Sequence, residues 1–359
     1  MEIDTRFPTK LDSISDAPEP LRSALVEGLS SEEPGRLLLY APAFSAGAEK
    51  TPATLLAVTK HGWFVASETE YGGATVEKSD FSETLFLELT SVLLSGQLKI
   101  HFATGGTSDF ATINFDTVGE EFYREAIDLI LAGIDPVLAN AAEKDRKEAS
   151  IIEAWPMNLR FEAKRYWPKG QRLLTAIQWA AIFGGFQREL APAGALLVTA
   201  RELVLISEEK RSPRQLTGDL HEFGGIITFF PRVRLADFHV SHHERFGVLA
   251  LQMHAAHGGE KLEIIFPSED EKVVSKAMEQ VLTAAKQSPA ATPPAGTSPA
   301  ATPTLEEIQQ RAYFISERRR KLGIAGDAHQ DWITAEQELR AGAGEVGRGV
   351  GGGTSGYTS

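Results

Sequence analysis

Five of the nine histidines lie close together, within residues 239–257, and imidazole is a common metal ligand in proteins. They are His239, His242, His243, His254 and His257. Hydrophobic alternation predicts a β-hairpin here and places Asp237, His239 and His254 on its outer face. Two imidazoles and a carboxylate are enough in principle for a Zn²⁺ or Fe²⁺ site. We favour a solvated strand face and expect no metal, because three ligands on a flat strand lack the supporting groups that orient metal ligands.

The rest of the sequence offers little catalytic chemistry. It contains no cysteine, which excludes thiol catalysis and disulfides and favours a reducing compartment. No Ser/His/Asp order, phosphate-binding loop or H-E-x-x-H motif occurs in it. We therefore expect a protein that is not an enzyme and that uses no cofactor.

Net charge and hydropathy argue against nucleic acid as a partner and against a secreted or membrane-spanning protein. The formal net charge of −13 argues against a general nucleic-acid binder, because such proteins neutralise phosphates with Lys and Arg. The start of the chain, Met1–Asp4, has neither the basic nor the apolar character of a signal peptide. The longest apolar run, Ala176–Phe186, is far shorter than the roughly 20 residues that span a membrane. We expect a soluble, cytoplasmic protein that binds no nucleic acid.

The elements that must position the histidines occur twice in the chain. Adding 151 to each residue number places residues 81–131 on residues 232–282 without a gap. Upstream of this stretch the shift is 140, which places residues 52–68 on residues 192–208. The difference of eleven residues predicts an insertion within Glu208–Gly225 of the second copy. Matching pairs include Gly96 with Gly247, Ile113 with Ile264 and Phe115 with Phe266.

Each copy has the period-two alternation of antiparallel strands, followed by one amphipathic helix. Leu87 and Leu89 alternate with polar residues before a turn, and Phe238 and Val240 do the same in the second copy. A Gly-rich turn then leads to one more strand and to a helix with apolar residues at helical spacing. We predict six or seven short strands and a closing helix for each copy.

This order of elements resembles the bacterial pleckstrin-homology-like (PH-like) family. The residues that carry the resemblance are the strands Leu55–Thr59 and Ala195–Thr199, the Ser-Glu ends of the strands that follow, and the hairpins through Gly96 and Gly247. The resemblance implies an α+β fold with two antiparallel β-barrels, each closed by a C-terminal helix. Proteins of this fold bind phospholipids or peptides, or act as scaffolds, so the fold alone does not give the function.

Composition divides the chain into seven segments. They are an N-terminal arm with a short helix (1–34), the first PH-like domain (35–135), a helical linker (136–164), the second PH-like domain (165–286), a disordered linker (287–303), a helical hairpin (304–340) and a disordered Gly-rich tail (341–359).

The predicted C-terminal hairpin begins with a capping box at Thr304 and carries an R-A-Y…W-x-x-A-E-x-E-L pattern. It resembles a short bacterial domain-of-unknown-function family, the 2934 family. About 35 residues rarely fold alone, so we expect the hairpin to dock on a partner. The partner-binding residues that we predict are Tyr313, Trp332, Glu336 and Leu339.

Three functions remain open at this point. We favour a non-enzymatic scaffold or interaction protein that binds a protein partner or associates with itself. The first alternative is a peripheral lipid binder that uses the basic loop around Lys210, Arg211 and Arg214. We do not expect membrane binding, because neither copy has a basic cluster in its first hairpin. The second alternative is a metal-dependent enzyme that uses the histidines of the second copy.

Overall fold

The structure is a computed structural model that describes residues 7–29, 36–46, 49–92, 94–136, 149–168, 171–184, 189–208, 224–243 and 246–287. Its helices are α1 (Leu21–Gly28), α2 (Glu120–Ile134), α3 (Ala149–Glu153), α4 (Met157–Tyr166) and α5 (Glu271–Gln287). The strands before the linker are β1 (Thr9–Lys10), β2 (Leu37–Ala41), β3 (Phe44–Ala46), β4 (Glu49–Thr51), β5 (Thr54–Val58), β6 (Gly62–Glu68), β7 (Ala74–Asp80), β8 (Thr84–Val92), β9 (Ser95–Thr104) and β10 (Thr107–Asp116). Those after it are β11 (Leu173–Trp179), β12 (Ile182–Phe183), β13 (Glu189–Ala191), β14 (Gly194–Thr199), β15 (Glu202–Glu208), β16 (Gly224–Pro231), β17 (Leu235–His242), β18 (Phe246–Ala255) and β19 (Gly258–Pro267).

The secondary structure confirms the internal repeat. Strands β18 and β19 begin and end 151 residues after β9 and β10, and α5 begins 151 residues after α2. Strand β15 begins and ends 140 residues after β6. The predicted insertion therefore lies between β15 and β16, in residues 209–223, which are outside the described residues. We call β2–β10 with α2 repeat 1, and β11–β19 with α5 repeat 2.

The sheets correct the prediction of two PH-like β-barrels, which is wrong because no sheet of the described residues closes into a barrel. Repeat 1 and β1 of the N-terminal arm form a five-stranded sheet in the order β1-β2-β5-β6-β7, and repeat 2 contributes a three-stranded sheet in the order β17-β18-β19. Between them lies a seven-stranded antiparallel sheet in the order β10-β9-β8-β16-β15-β14-β11. It contains three strands of repeat 1 and four of repeat 2.

The joint between the repeats is the antiparallel pair of β16 with β8. Ile227 lies opposite Leu89 and Phe229 lies opposite Leu87, and all four side chains are buried. Burial on both faces of these strands explains why the edge of β8 pairs with the neighbouring repeat. A backbone edge that is enclosed by apolar side chains must satisfy its N–H and C=O groups with another strand.

Apolar clusters fill both faces of the seven-stranded sheet. One face packs with the five-stranded sheet, α2 and α4, through residues such as Leu87, Leu197 and Tyr123. The other face packs with the three-stranded sheet and α5, through residues such as Leu196 and Leu251. A third cluster holds α1 against the outer face of the five-stranded sheet. The two repeats are thus united by a shared core as well as by a shared sheet.

The predicted N-terminal helix and part of the predicted helical linker are present. The first is α1, in which Leu21 and Leu25 are fully buried. The linker contains α3 and α4, while residues 137–148 lie outside the described part of the chain. Among the described residues, none of the helices is both long and apolar enough to cross a membrane.

Candidate interaction edge on the second repeat

Strands β8 and β17 are equivalent in the two repeats but differ at their outer edges. One edge of β8 pairs with β9 and the other pairs with β16 of repeat 2. Strand β17 pairs with β18 on one side, and none of the described strands pairs with its other side. We call this side of Leu235–His242 the β17 edge. It is where repeat 2 presents the same surface that repeat 1 uses to bind a strand.

The side chains of β8 and β17 differ in exposure in the same way as their edges differ in pairing. Leu87 and Leu89 of β8 are completely buried, whereas their equivalents Phe238 and Val240 of β17 are half-buried. Both of these residues still pack on the core of repeat 2. The β17 edge therefore combines a backbone that is unpaired among the described strands with two half-buried apolar side chains, and such an edge can accept a further strand.

The predicted ligand residues Asp237, His239 and His254 lie along this hairpin, and all three are exposed. Asp237 is opposite Gln252 and His239 is opposite Ala250, so that His254 lies four residues farther along β18 than the partner of His239. Four residues of a strand span about 13 Å, which is far longer than a pair of metal–ligand bonds. In the parts of the chain that the structure describes, no group of three or more residues of the types His, Cys, Asp and Glu could hold a metal ion.

Two histidines of the cluster contact carboxylates instead: His257 contacts Glu83 of repeat 1, and His242 contacts Glu271 of repeat 2. Nδ1 of His242, at the end of β17, lies 3.0 Å from Oε2 of Glu271 at the start of α5. The equivalent pair in repeat 1 is Ser91 and Glu120, where the Ser91 hydroxyl donates to Oε2 of Glu120 at 3.1 Å. Both repeats therefore attach the first residue of the closing helix to the end of the same strand.

The equivalent contact in repeat 1 is buried, and its carboxylate also contacts residues of the linker region. Oε1 of Glu120 accepts from the Tyr166 hydroxyl at 2.7 Å and lies 2.7 Å from a guanidinium nitrogen of Arg165. Burial, together with the negative charge of Glu120, raises the pKa of Tyr166 far above its usual range. The carboxylate of Glu120 thus fixes the end of α4 against the start of α2.

A small cavity lies beside this contact, where the repeats meet. Its lining includes Arg124, Asp128, Tyr166, Trp167, Glu202 and Phe229. The space open to the centre of a water molecule is about 20 Å³, which holds one water molecule. This volume fits a hydrated polar cluster and is too small for a metabolite.

Glu202 is one of two carboxyl groups that line the cavity, with Asp128, and it is only 1% exposed. Its Oε2 lies 3.7 Å from Nε of Arg201, and neither atom has a hydrogen-bond partner among the described residues. Burial raises the pKa of Glu202 to about 7; Arg201 opposes this increase, and the charges of Asp128 and Asp135 add to it. The equivalent position in repeat 1 is Gly62, so this group belongs to repeat 2 alone.

Sequence reasoning missed both the β17 edge and Glu202. A signal for the edge was present, because Leu85-Phe86-Leu87 is apolar without interruption whereas the equivalent Ala236-Asp237-Phe238 is not. An unbroken apolar run is typical of a strand that is covered on both faces. No comparable signal marks Glu202, because its burial depends on contacts between the repeats.

Several predicted contact residues fall outside the described residues. They are Tyr313, Trp332, Glu336 and Leu339 of the predicted hairpin, Lys210, Arg211 and Arg214 of the predicted loop, residues 288–303 of the predicted disordered linker, and the predicted segments 304–340 and 341–359. The first residue of the predicted linker, Gln287, is instead the last residue of α5. Their roles, and the two family resemblances, stay predictions. No protein-family model matches the chain, and no curated protein matches it either.

Proposed function

We propose that the protein is a non-enzymatic interaction protein of the cytoplasm, and that it binds a protein partner by adding an extended segment of that partner to the β17 edge. The observation that carries the proposal is the difference between two equivalent strands. The outer edge of β8 is completed by β16, whereas no described strand completes the outer edge of β17.

Strand addition uses backbone hydrogen bonds for affinity and alternate side chains for specificity. On β17 the alternate side chains of one face are Asp237, His239 and Ser241, and those of the other face are Phe238 and Val240. A segment with apolar residues on one face and hydroxyl or acidic residues on the other matches this pattern. Residues 304–340 would provide a second contact to the partner, with Trp332 as its anchor, as the sequence predicts.

Site-specific photo-crosslinking tests the proposal. A photoreactive amino acid replaces His239, which is exposed on β17, and in a control protein it replaces Val118, which is 70% exposed outside any sheet. We expect the first protein to capture a discrete partner in cytoplasmic extract and the control to capture none.

The captured partner is then purified and tested for the mode of binding. Strand addition would protect the backbone amides of β17 from hydrogen exchange while leaving the amides of β10, an edge strand of the seven-stranded sheet, as they were. Equal capture from both positions, or protection confined to residues outside β17, would contradict the proposal.

A further inference from the structure

We propose that the strand bound by the β17 edge is β7 of a second copy of this chain, so that copies associate head to tail. This inference rests on the proposed function, since it names the partner of the same edge. It starts from the joint inside the chain, where β16 of repeat 2 pairs with β8 of repeat 1. Strand β7 is the repeat 1 equivalent of β16, just as β17 is the repeat 2 equivalent of β8.

Strand β7 has an open edge of its own. It is the last strand of the five-stranded sheet, pairs with β6 on one side, and has no paired strand among the described residues on the other. All seven of its residues are exposed or half-buried. Helix α1 packs on the face of this sheet, where Gly28 lies near Phe64 and Val76, and so does not take up the backbone edge. Among the strands that the structure describes, each molecule therefore has a β7 edge and a β17 edge with no paired strand.

The joint inside the chain also supplies the register. Subtracting 151 from the β16 residues and adding 151 to the β8 residues converts the pair of Ile227 with Leu89 into the pair of Val76 with Val240. The pair of Thr228 with Glu88 becomes Glu77 with His239. The pair of Ile226 with Thr90 becomes Thr75 with Ser241.

These three pairs are chemically matched. Val76 and Val240 are both aliphatic, Glu77 can accept a hydrogen bond from His239, and Thr75 and Ser241 both carry hydroxyls; pairs of these kinds stabilise antiparallel strands. Desolvation raises the pKa of Glu77, and the negative charge of Asp109 adds to this increase. The β7 edge at this point therefore favours a cationic residue opposite Glu77.

The contact joins two different surfaces and does not close on itself as a two-fold dimer does. Each molecule keeps a β7 edge at one end and a β17 edge at the other, so the association continues into short chains or closes into a ring of three or more molecules. Strands β7 and β17 are more polar than β16 and β8, so we expect the contact between copies to be weaker than the joint within the chain.

Sedimentation velocity of the full-length chain over a range of concentrations tests the inference. The wild-type protein should form species beyond the dimer as its concentration rises. His239→Glu places a carboxylate opposite Glu77 and should weaken association at least about tenfold, whereas His239→Lys should strengthen it. Glu77→Lys, mixed with His239→Glu, should restore the assembly, because an ammonium group on β7 of one chain then faces a carboxylate on β17 of the other.

Restoration in the mixture separates the contact from any effect on folding, because the two changes are on different molecules. A wild-type protein that stays monomeric at all concentrations would overturn the inference, as would a dimer that grows no further or a mixture that does not reassemble. The proposed function fails separately, since it requires only that the photoreactive residue at 239 captures a protein. Capture of another protein there would overturn the self-association and leave the proposed function in place.

Discussion

Ile227 of β16 lies opposite Leu89 of β8, and both side chains are buried in the core that the two repeats share. Strands of the two repeats thus share one sheet, and the apolar clusters on both of its faces contain residues of both repeats. We expect the described part of the chain to unfold as one cooperative unit because the apolar contacts cross the joint.

A substitution at the joint should therefore destabilise both repeats together. We expect Leu89→Ala to lower the free energy of unfolding by about 3 kcal/mol, because it removes a fully buried side chain and leaves a cavity. Val240→Ala, at the equivalent but half-buried position, should cost about 1 kcal/mol or less. Urea denaturation followed by far-UV circular dichroism measures both.

The shape of the transition is a second test of the shared core. Leu89→Ala should move a single transition to lower urea concentration without changing its slope. If the variant instead shows two transitions, one at the wild-type midpoint, then the repeats fold independently and the joint contributes little.

The two repeats also share a glycine that faces a phenylalanine ring. A Cβ atom on Gly96 would lie 2.3 Å from the ring of Phe115, and one on Gly247 would lie 2.4 Å from the ring of Phe266. We expect Gly96→Ala and Gly247→Ala each to lower the free energy of unfolding by about 1–3 kcal/mol through overpacking.

The control for these two variants is Gly225→Ala in β16. A Cβ atom there would have no neighbour closer than the 3.7 Å to Ile227, which is ordinary contact. We expect this change to leave the free energy of unfolding within about 0.5 kcal/mol of wild type. Equal losses in all three variants would show that contact with the rings is not what makes glycine necessary at positions 96 and 247.

The sequence predicted the elements of this fold well because the evidence for them is local. Alternation around Leu87 and Leu89, and its recurrence at Phe238 and Val240, predicts strands there, and the structure has β8 and β17 at these places. The predicted number of strands is too low, since each repeat has nine described strands where six or seven were expected. The pairing of β16 with β8 is a contact between segments about 140 residues apart, and alternation does not say which of two equivalent edges a strand chooses.

The choice of edge follows from a difference between the copies. Strand β16 contains Ile226-Ile227 and Phe229-Phe230, whereas the equivalent residues of β7 are Thr75-Val76 and Lys78-Ser79. Burying the apolar pairs of β16 is favourable, and burying the lysine of β7 is costly. The prediction of two barrels is wrong because it rests on what the two copies have in common, whereas their differences decide how they are joined.

The carboxylates that begin the two closing helices offer a matched comparison. Glu120 is 3% exposed and holds Tyr166 and Arg165, whereas Glu271 is 41% exposed and contacts His242. We expect Glu120→Ala to cost about 2 kcal/mol, because it leaves the buried Tyr166 hydroxyl without its acceptor. Glu271→Ala should cost less than about 1 kcal/mol, as exposed ion pairs usually do. Thermal unfolding of the two variants provides the measurement, and equal losses would refute the clamping role of Glu120.

The final prediction concerns pH and the buried Glu202. Its pKa rises from 4.5 in the unfolded chain to about 7 in the folded protein, chiefly because burial penalises the charged carboxylate. The folded state therefore keeps a proton between pH 4.5 and 7 that the unfolded state has already lost. This group does not reduce the free energy of unfolding below pH 4.5. The free energy of unfolding falls as the pH rises from 4.5 to 7, and it stays reduced above pH 7. The total loss is about 3 kcal/mol, at 1.36 kcal/mol for each pH unit.

Glu202→Gln replaces the titrating carboxyl group with an amide that takes up no proton in this pH range. We expect the variant to lose the part of the pH dependence that falls between pH 5 and 7, and to be more stable than wild type at pH 8, because a neutral amide is less costly to bury than a carboxylate. Glu121→Gln on the exposed side of α2 is the control and should leave the slope as in wild type. Urea denaturation at half-unit steps from pH 4.5 to 8.5 gives the slope for each protein. If the wild-type and Glu202→Gln curves stay parallel, Glu202 does not hold a proton in this cavity, and the joint between the repeats tolerates a buried carboxylate by other means.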